Sequence, residues 1–314
     1  MNILITGIHG LLGSCLVNVF KENNIIYGLD FDATEKDGVR KVFTSNEMKE
    51  IPDVDVVIHI DGMHWDPHDL SEALACSERN VGFTRKIYNW FTQSTAKYFI
   101  YLSSIKAAGK SRDAHYALTE VLSQKPFGVY GESKFLAERY ILEKWTYGKK
   151  IYILRPGIIH GPSTLGSKHL DLLFDWVKRG KPYLFGKFVC RRSFTTIDNL
   201  CFVLKRILEL DIPGGVYNVV DDESLQLVEI YEMMASVLHK KPRVYDVSKW
   251  TIRFLAMVGT RFNLCLDTFQ YRKLSTDFEV SNEKLKRALD IKRMPVSVVD
   301  GFNQSIINFA NKKN

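Results

Sequence analysis

Short apolar runs alternate with longer amphipathic stretches along the first half of the chain. The runs are rich in Val, Ile, Tyr and Phe, and several are apolar at consecutive positions, as in strands that are covered on both faces. They predict strands at 2–6, 25–30, 41–44, 54–60, 98–103 and 151–154. The stretches between them predict helices at 11–22, 70–94 and 132–145. Because crossovers between parallel strands are right-handed, this order predicts an α/β fold with a doubly wound parallel sheet of Rossmann type.

The regular alternation ends after Pro162. The remaining pattern predicts one returning strand at 215–219 and helices near 170–179, 226–238, 282–289 and 296–310. We therefore predict two parts, with a smaller, mixed C-terminal substrate lobe over the carboxyl ends of the strands. The dinucleotide-binding domain would comprise residues 1–165 with a returning segment at about 190–220, and the substrate-binding lobe residues 166–189 and 221–314.

Composition does not change the predicted fold, but it narrows the classes of molecule that the protein is expected to bind. Hydrophobic residues make up 46% of the 314 residues and charged residues 25%, which is typical of a folded globular protein and excludes a disordered chain. The 43 Lys and Arg against 36 Asp and Glu give a net charge of +7. This mild, dispersed charge favours an anionic small molecule and does not indicate nucleic acid.

The five cysteines are scattered and form no C-x-x-C pair, so neither a disulfide framework nor a zinc site is predicted. The chain opens directly into a strand pattern without the features of a secretory signal. No apolar stretch approaches the ~18 to 20 residues of a transmembrane segment. We therefore expect a cytoplasmic protein in a reducing compartment.

Three histidines lie at the end of the fourth predicted strand and just after it, among aspartates. Their spacing, H-x4-H-x3-H at His59, His64 and His68, fits no standard metal site, and Pro67 would break a helix that aligned the last two. We predict no metal there.

A glycine motif, T-G-I-H-G-L-L-G, follows the first strand and opens the first helix at 6–13. In that context the first glycine allows a tight turn, the second lets amides approach a pyrophosphate, and the third lets helix and strand pack closely. The helix N-terminus adds positive potential. The predicted cofactor-binding residues are therefore Gly7, Gly10, Leu11, Leu12 and Gly13.

Asp30 stands twenty residues after Gly10, at the end of the second strand. A carboxylate there can accept both hydroxyls of an adenosine ribose and would repel a 2′-phosphate, so NAD is favoured over NADP. A solvated loop acid is the alternative, because Asp32 is close by.

Tyr130 and Lys134 stand four residues apart, on one face if they belong to the same helix. A nearby ammonium and a nicotinamide cation favour phenolate, so we expect a lowered pKa for Tyr130 and a role as acid/base in hydride transfer. Lys134 could also bind the nicotinamide ribose. Ser104 follows a predicted strand, where its hydroxyl could donate to a developing oxyanion. Taken alone, each of these patterns is also typical of a solvated helix face or a strand end.

Taken together, these residues resemble the extended short-chain dehydrogenase/reductases, or NAD-dependent epimerase/dehydratase family. The resemblance spans nearly the whole chain and rests on 6–13, Asp30, 55–59, 80–82, 102–104, Gly109, 130–134, Glu138, 154–162, 192–199 and 216–218. It implies NAD as cofactor and Ser104, Tyr130 and Lys134 as catalytic residues. It further implies that His59 and the Tyr130–Lys134 pair contact the cofactor, and that Arg192 grips the pyrophosphate of a nucleotide-sugar substrate.

The chain departs from the family pattern at three places. Sugar dehydratases carry Asp-Glu after the catalytic hydroxyl residue, where Ile105 and Lys106 stand here, so dehydration is not expected. Many epimerases have Asn where this chain has Ile158. Asp61 replaces a small apolar residue, and the sequence offers no account of it.

The resemblance implies a nucleoside-diphosphate-sugar epimerase or 4-ketoreductase, acting as a homodimer through the helices at 70–94 and 132–145. Two alternatives stay open: a 3β-hydroxysteroid-dehydrogenase-like alcohol oxidoreductase and a non-catalytic dinucleotide-binding regulator.

Overall fold

The chain is described by a computed structural model. It describes residues 1–67, 69–109, 117–120, 126–184, 190–262, 268, 271 and 278–312. His68, one of the three histidines weighed above, lies outside the described residues.

A twisted parallel sheet forms the centre of the molecule. Its strands are β1 (Asn2–Thr6), β2 (Ile25–Asp30), β3 (Lys41–Thr44), β4 (Val56–His59), β5 (Tyr98–Leu102), β6 (Lys150–Pro156) and β9 (Gly215–Val219). Within the described residues the order is β3-β2-β1-β4-β5-β6-β9, and every pairing is parallel. The chain order reverses beside β1, which is the point where open α/β sheets bind ligands.

Both faces of this sheet carry apolar side chains, because successive residues of a strand point to opposite sides. In β1, Ile3 and Ile5 face one core cluster while Leu4 faces the other. Helices pack on both faces, and the helices of the described chain are α1 (Leu11–Phe20), α2 (Leu70–Ser77), α3 (Phe83–Gln93), α4 (Ile105–Ala108), α5 (Gly128–Glu143), α6 (Lys168–Lys178), α7 (Ile197–Leu210), α8 (Leu227–Val237), α9 (Lys249–Phe262), α10 (Glu283–Leu289) and α11 (Val298–Lys312). The predicted Rossmann-type fold is confirmed.

A smaller mixed sheet accompanies the large one. It contains β7 (Ile158–His160), β8 (Arg191–Thr196) and β10 (Ser224–Gln226), with β8 parallel to β7 and antiparallel to β10. Side chains from α6, α8 and α11 form its own buried cluster. Gly157 alone separates β6 in the large sheet from β7 in the small one.

The predicted part boundaries remain a prediction, although two observations bear on them. The returning strand lies where it was predicted, as β9 at the edge of the large sheet. The segment before β9 is shared between the two sheets. Strand β8 belongs to the small sheet, whereas α7 packs on α1 against the large one.

Two helix predictions need correction. The single helix predicted at 70–94 is α2 and α3 joined by a π-helical turn, Glu78–Gly82. The helix predicted from residue 132 begins at Gly128. No helix of the described chain is both long enough and apolar enough to cross a membrane.

Candidate active site

The glycine motif forms a tight turn between β1 and α1. Gly7 has a φ of +69°, in the left-handed region that favours glycine, and its amide donates to the Leu29 carbonyl at 2.9 Å. A Cβ on Gly13 would lie 2.5 Å from the carbonyl oxygens of both Gly7 and Ile8. The third glycine is therefore required for the first turn of α1 to approach the end of β1.

Helix α1 begins without a side-chain cap. Gly10 is its N-cap residue, and no acidic side chain occupies the first turn. The first amides of a helix have no partner within the helix, so those of Leu11 and Leu12 can donate to an anion. Glycines in this turn let the backbone approach a ligand closely, and the first amides of α1 are free of helical partners. Both features suit a dinucleotide pyrophosphate.

Asp30 ends β2 beside this turn. Its Oδ2 accepts from the His9 amide at 3.0 Å, and its Oδ1 accepts from the Phe31 amide at 2.8 Å. The carboxylate is half-buried and fixed at the rim of the turn. This position fits the predicted role toward an adenosine ribose.

Ser104, Tyr130 and Lys134 come together behind the carboxyl end of β5. All three are buried, with exposed fractions of 7%, 8% and 4%. Tyr130 and Lys134 lie one turn apart on α5, and Ser104 lies near enough to the Tyr130 phenol to act on its pKa. Lys134 Nζ donates to the Leu102 carbonyl, at the end of β5, at 3.1 Å. The sheet edge and one helix face therefore hold the set.

The acid–base properties of this set differ from the expectation. Burial raises the pKa of Tyr130 above its ordinary value, and the Asp66 charge adds to that effect, while the Ser104 hydrogen bond opposes it. Burial also lowers the pKa of Lys134 to about 8, against the opposing charges of Asp61 and Glu138. The predicted lowering of the Tyr130 pKa is wrong, because desolvation by burial is the largest effect on it.

A buried ion pair supports the set from below. Glu138 lies one turn after Lys134, and Arg155 of β6 binds both of its oxygens, at 2.9 and 2.6 Å. Ser103 donates its hydroxyl to the same carboxylate. The Glu138 carboxylate therefore joins α5, which carries Tyr130 and Lys134, to β6 and to the residue that follows β5.

A second buried contact joins α5 to the π-helical turn. Asn80 Nδ2 donates to Ser133 Oγ at 2.8 Å and to the Met63 carbonyl at 3.1 Å. The Ser133 hydroxyl in turn donates to the Tyr130 carbonyl at 2.8 Å. The first turn of α5, which carries the phenol, is therefore held from outside the helix.

His59 is enclosed by two threonines. Its ring nitrogens lie 2.7 Å from Thr6 Oγ1 and 2.9 Å from Thr84 Oγ1, and the residue has no exposed surface. Burial lowers its pKa to about 3. Both nitrogens face protein groups, so His59 fixes the end of β4, and its predicted contact with the cofactor stays a prediction.

Asp61 receives a structural account that the sequence did not supply. Its Oδ1 accepts from Arg79 Nε at 3.0 Å and from Arg79 Nη2 at 2.6 Å. The backbone of Asp61 also packs against the glycine turn, since its Cα lies 3.2 Å from the position of a Cβ on Gly7.

The sequence pattern of residues 3–219 matches the NAD dependent epimerase/dehydratase family. The chain belongs to this family. It is 24% identical to the UDP-glucose 4-epimerase of Vibrio cholerae over 329 aligned positions, which cover 100% of this chain and 97% of that protein. A shorter match, 28% over 128 residues, relates 40% of the chain to 37% of the Streptococcus mutans UDP-glucose 4-epimerase.

Solved structures of family members share the fold. The UDP-glucuronic acid 4-epimerase of Bacillus cereus, in complex with UDP-glucuronic acid and NAD, has a TM-score of 0.77 at 19% identity, with both chains covered completely. The dTDP-glucose 4,6-dehydratase of Bacillus anthracis, in complex with NAD, has a TM-score of 0.75 at 18% identity, covering 100% of this chain and 97% of that one. The protein is thus an NAD-dependent enzyme of the epimerase/dehydratase family.

The position that distinguishes dehydratases in this family is filled by an ion pair here. Ile105 is buried with 4% exposure, and Lys106 Nζ lies 3.0 Å from Asp66 Oδ2 and 5.3 Å from the centroid of the Tyr130 ring. An ammonium held by a carboxylate is a different environment from the acid pair of the dehydratases.

The substrate-side candidates lie on the small sheet. Arg192 is half-buried on β8, where its backbone pairs with Leu225, and its charge lowers the pKa of Tyr183 against the effect of burial. Its neighbour Arg191 is held by Ser224, with Nε donating to Oγ at 2.7 Å. Ile158 packs against the apolar cluster of the small sheet. No described contact joins Arg192 to Ser104, Tyr130 or Lys134.

Three contributors to the site were not singled out from the sequence: Arg79, Asn80 and Asp66. Asn80 lies in a family motif, which could have indicated it. Arg79 and Asp66 act through partners 18 and 40 residues away, Asp61 and Lys106, and no local pattern reports such contacts.

Proposed function

We propose that the protein transfers hydride at a ring carbon of a nucleoside-diphosphate sugar, with Tyr130 as the acid/base. The observation that carries this proposal is that Ser104, Tyr130 and Lys134 are buried together at the carboxyl end of the parallel sheet, with Tyr130 and Lys134 one turn apart on α5. NAD, when bound, supplies the hydride acceptor and donor. The glycine turn, the open N-terminus of α1 and Asp30 are the residues suited to hold it.

The side chains divide the proton chemistry. Tyr130 Oη takes the proton of the sugar hydroxyl as the carbon gives up hydride, and returns it in the reverse direction. Ser104 donates to the same oxygen and so orients it. Lys134, anchored on the Leu102 carbonyl, supplies positive charge that favours phenolate over phenol when the site is occupied. Burial excludes water that would compete for the proton.

The substrate class rests on relatives and on charge. The curated relatives of V. cholerae and S. mutans are UDP-glucose 4-epimerases, and the B. cereus structure holds a UDP-sugar. Arg192 of the small sheet offers a guanidinium, which suits bidentate binding of a pyrophosphate. We propose it as the nucleotide-sugar contact.

Two outcomes of hydride transfer fit the site. In an epimerase the hydride returns to the other face of the keto sugar and the cofactor stays bound. In a 4-ketoreductase the alcohol leaves and the cofactor exchanges in each cycle. The similarity to 4-epimerases favours the first, and Ile158 in place of the usual Asn is the feature that favours the second.

Tyr130→Phe tests the proposal. We expect interconversion of UDP-glucose and UDP-galactose, or NADH-dependent reduction of a UDP-4-keto sugar, to fall by roughly 100-fold or more, the usual effect of losing a general acid/base. Retained NAD should not change. Tyr140→Phe is the control, because Tyr140 lies on the same helix but packs against α3, where its hydroxyl donates to Asn89 Oδ1 at 2.6 Å. Undiminished turnover in Tyr130→Phe would contradict the proposal.

The purified wild-type protein also distinguishes an epimerase from a 4-ketoreductase. Tightly held NAD in the absorbance spectrum of the purified protein indicates an epimerase, and NADH consumption only with keto sugar indicates a reductase. A rise in melting temperature with UDP or dTDP supports a sugar-nucleotide site. Its absence would favour a hydrophobic alcohol such as a steroid.

We also propose that the enzyme is a cytoplasmic homodimer. Among the described residues, Cys15, Cys76, Cys190 and Cys201 form no disulfide, which suits a reducing compartment. The two helices predicted to form the dimer carry exposed apolar residues: Leu70, Leu74, Val129 and Leu136, with exposed fractions of 76%, 65%, 43% and 42%. Such residues support burial against a second copy.

A further inference from the structure

Arg79 makes two contacts that the proposed chemistry does not use. One edge of its guanidinium binds the buried Asp61 carboxylate, at 2.6 Å from Nη2. Its flat face lies over the Phe31 ring, with Cζ 3.9 Å from the ring centroid. Both geometries are favourable for an arginine, and together they fix the orientation of its plane.

This contact spans the dinucleotide groove. Phe31 directly follows β2, and Asp61 follows β4, whereas the glycine turn lies at the end of β1, between those two strands in the sheet. Asp30, beside Phe31, binds the amide of His9 in the turn, and Asp61 packs on Gly7. A side chain that joins Phe31 to Asp61 therefore passes over the turn.

The local backbone presents Arg79 for this contact. The residue lies in the π-helical turn between α2 and α3, where an extra residue changes the direction of side chains relative to a regular helix. Its neighbour Asn80 points to Ser133 and Met63 and is buried. Turns of this kind occur frequently at functional sites.

Arg79 and Phe31 are more exposed than the members of a buried structural ion pair would be. The Asp61 side chain is 4% exposed, but that of Arg79 is 35% exposed, and the Phe31 ring is 67% exposed. An aromatic ring left open beside a groove, with a cation held over it, offers surface for a ligand to cover.

Positive charge concentrates at the same place. The charges of Lys134 and Arg79 both act on His64 and, with burial, hold the pKa of its imidazole below the ordinary value. Asp61 faces both cations. A guanidinium has five N–H donors, and two of the groups on Arg79 are used on Asp61, so its other edge remains available to a phosphate.

We propose that Arg79 is a dinucleotide-binding residue, held by Asp61 and Phe31 so that its guanidinium closes over the pyrophosphate at the glycine turn. Asp61 is then a positioning residue that aims Arg79, and Phe31 is the apolar rest on which the guanidinium plane lies. This role deepens the proposed function, since it assigns to this chain a means of retaining the cofactor between turnovers.

Direct binding measurements test the assignment without any assay of turnover. Purified full-length protein, stripped of nucleotide, is titrated calorimetrically with NAD and with ADP-ribose, which has the pyrophosphate but no nicotinamide. In Arg79→Ala we expect the dissociation constants of both ligands to rise roughly ten-fold, as for loss of a charge-assisted hydrogen bond. In Phe31→Ala we expect a rise of roughly three-fold.

Arg85→Ala is the matched control. Arg85 also lies over an aromatic ring, with Cζ 5.0 Å from the centroid of Tyr140, but it belongs to α3 and contacts neither Asp61 nor the glycine turn in the described structure. Its NAD affinity should equal that of the wild type. Because Arg79→Ala leaves Asp61 buried without its cation, the double variant Asp61→Asn/Arg79→Met provides a neutral site with the same expected loss.

The outcomes are separable. NAD and ADP-ribose affinities within two-fold of wild type, in both the single and the double variant, would overturn the role of Arg79. Equal losses in Arg79→Ala and Arg85→Ala would also overturn it, as a general effect of charge. A protein that binds NAD as described but transfers no hydride would leave this assignment standing and contradict the proposed function instead.

Discussion

Burial governs the single residues of this site more than their neighbours do. His59 is held neutral, with a pKa of about 3, although its nitrogens face only two hydroxyls. The same desolvation raises the pKa of Tyr130 and lowers that of Lys134. Burial therefore keeps His59 and Tyr130 uncharged at neutral pH, whereas Lys134, with a pKa of about 8, stays mostly protonated.

The buried imidazole predicts a specific pH dependence of stability. Below pH 6.5 the unfolded chain protonates His59 while the folded chain does not, so the free energy of unfolding contributed here is complete above 6.5 and falls as pH drops toward about 3. The slope is about 1.4 kcal/mol per pH unit for one proton. Urea unfolding at pH 7, 5.5 and 4.5 measures it.

His59→Gln is the comparison for that experiment. Glutamine can still bond to Thr6 and Thr84 but takes no proton, so its unfolding free energy should fall less steeply with acid by about one proton. Equal slopes in the two proteins would show that His59 does not titrate between the folded and unfolded states as described.

At the scale of elements, α5 is the organising unit. Tyr130, Lys134 and Glu138 follow one another at four-residue intervals and face the end of the sheet. The first two carry the chemistry, and the third fixes the helix to β5 and β6 through Ser103 and Arg155. The position of the phenol therefore depends on an ion pair two turns further along.

Glu138→Gln should be strongly destabilising. It leaves the Arg155 guanidinium buried without a counter-charge, which costs about 3–5 kcal/mol. Glu143→Gln, on the same helix, removes an exposed pair with Arg139 in which both side chains are 59% exposed, and should cost less than about 1 kcal/mol. Denaturant titration of both variants makes the comparison.

A double variant provides the counter-test. Glu138→Leu/Arg155→Met removes both charges and should recover most of the stability lost in Glu138→Gln. If Glu138→Gln and Glu143→Gln have the same small effect, the pair does not fix α5 as argued.

The sequence predicts an element well when local residues determine it and poorly when contacts with distant parts of the chain determine it. The strands were predictable because short runs of consecutive Val and Ile residues are typical of strands that are covered on both faces. The start of α5 was not, since glycines at 128 and 131 oppose a helix locally. Gly131 is required because α4 approaches closely: a Cβ on this residue would lie 2.6 Å from the Lys106 carbonyl oxygen. Gly128 is required because its φ is +75°.

The site follows the same division. Ser104, Tyr130, Lys134 and the glycines belong to local motifs, so their places could be predicted. The Asp61–Arg79 pair could not, because it depends on a π-helical turn and on the spatial neighbourhood of two strand ends. The expected Tyr130 pKa failed for a related reason, since burial is a property of the whole fold.

At the scale of the whole molecule, the exposed leucines of α2 and α5 predict the assembly. Leu74→Glu and Leu136→Glu should convert a dimer, at twice the chain mass of 36.1 kDa, to a monomer, because burying a carboxylate in an apolar interface is costly. Light scattering after size exclusion measures the mass.

Leu172→Glu, on α6, is the control for that experiment, because the residue is 58% exposed and lies outside the two helices. Its mass should match the wild type. A monomeric wild type, or a dimer unaffected by either helix variant, would exclude this interface.

The single residue between β6 and β7 has a consequence for how the protein can move. A hinge needs several residues whose torsion angles can change together. Here the backbone leaves one sheet and enters the next across Gly157, whose amide is itself tied to Thr195 Oγ1 at 2.8 Å. This short, hydrogen-bonded connection limits rotation of one sheet against the other at the crossing, so we expect ligand entry to depend on the loops around it.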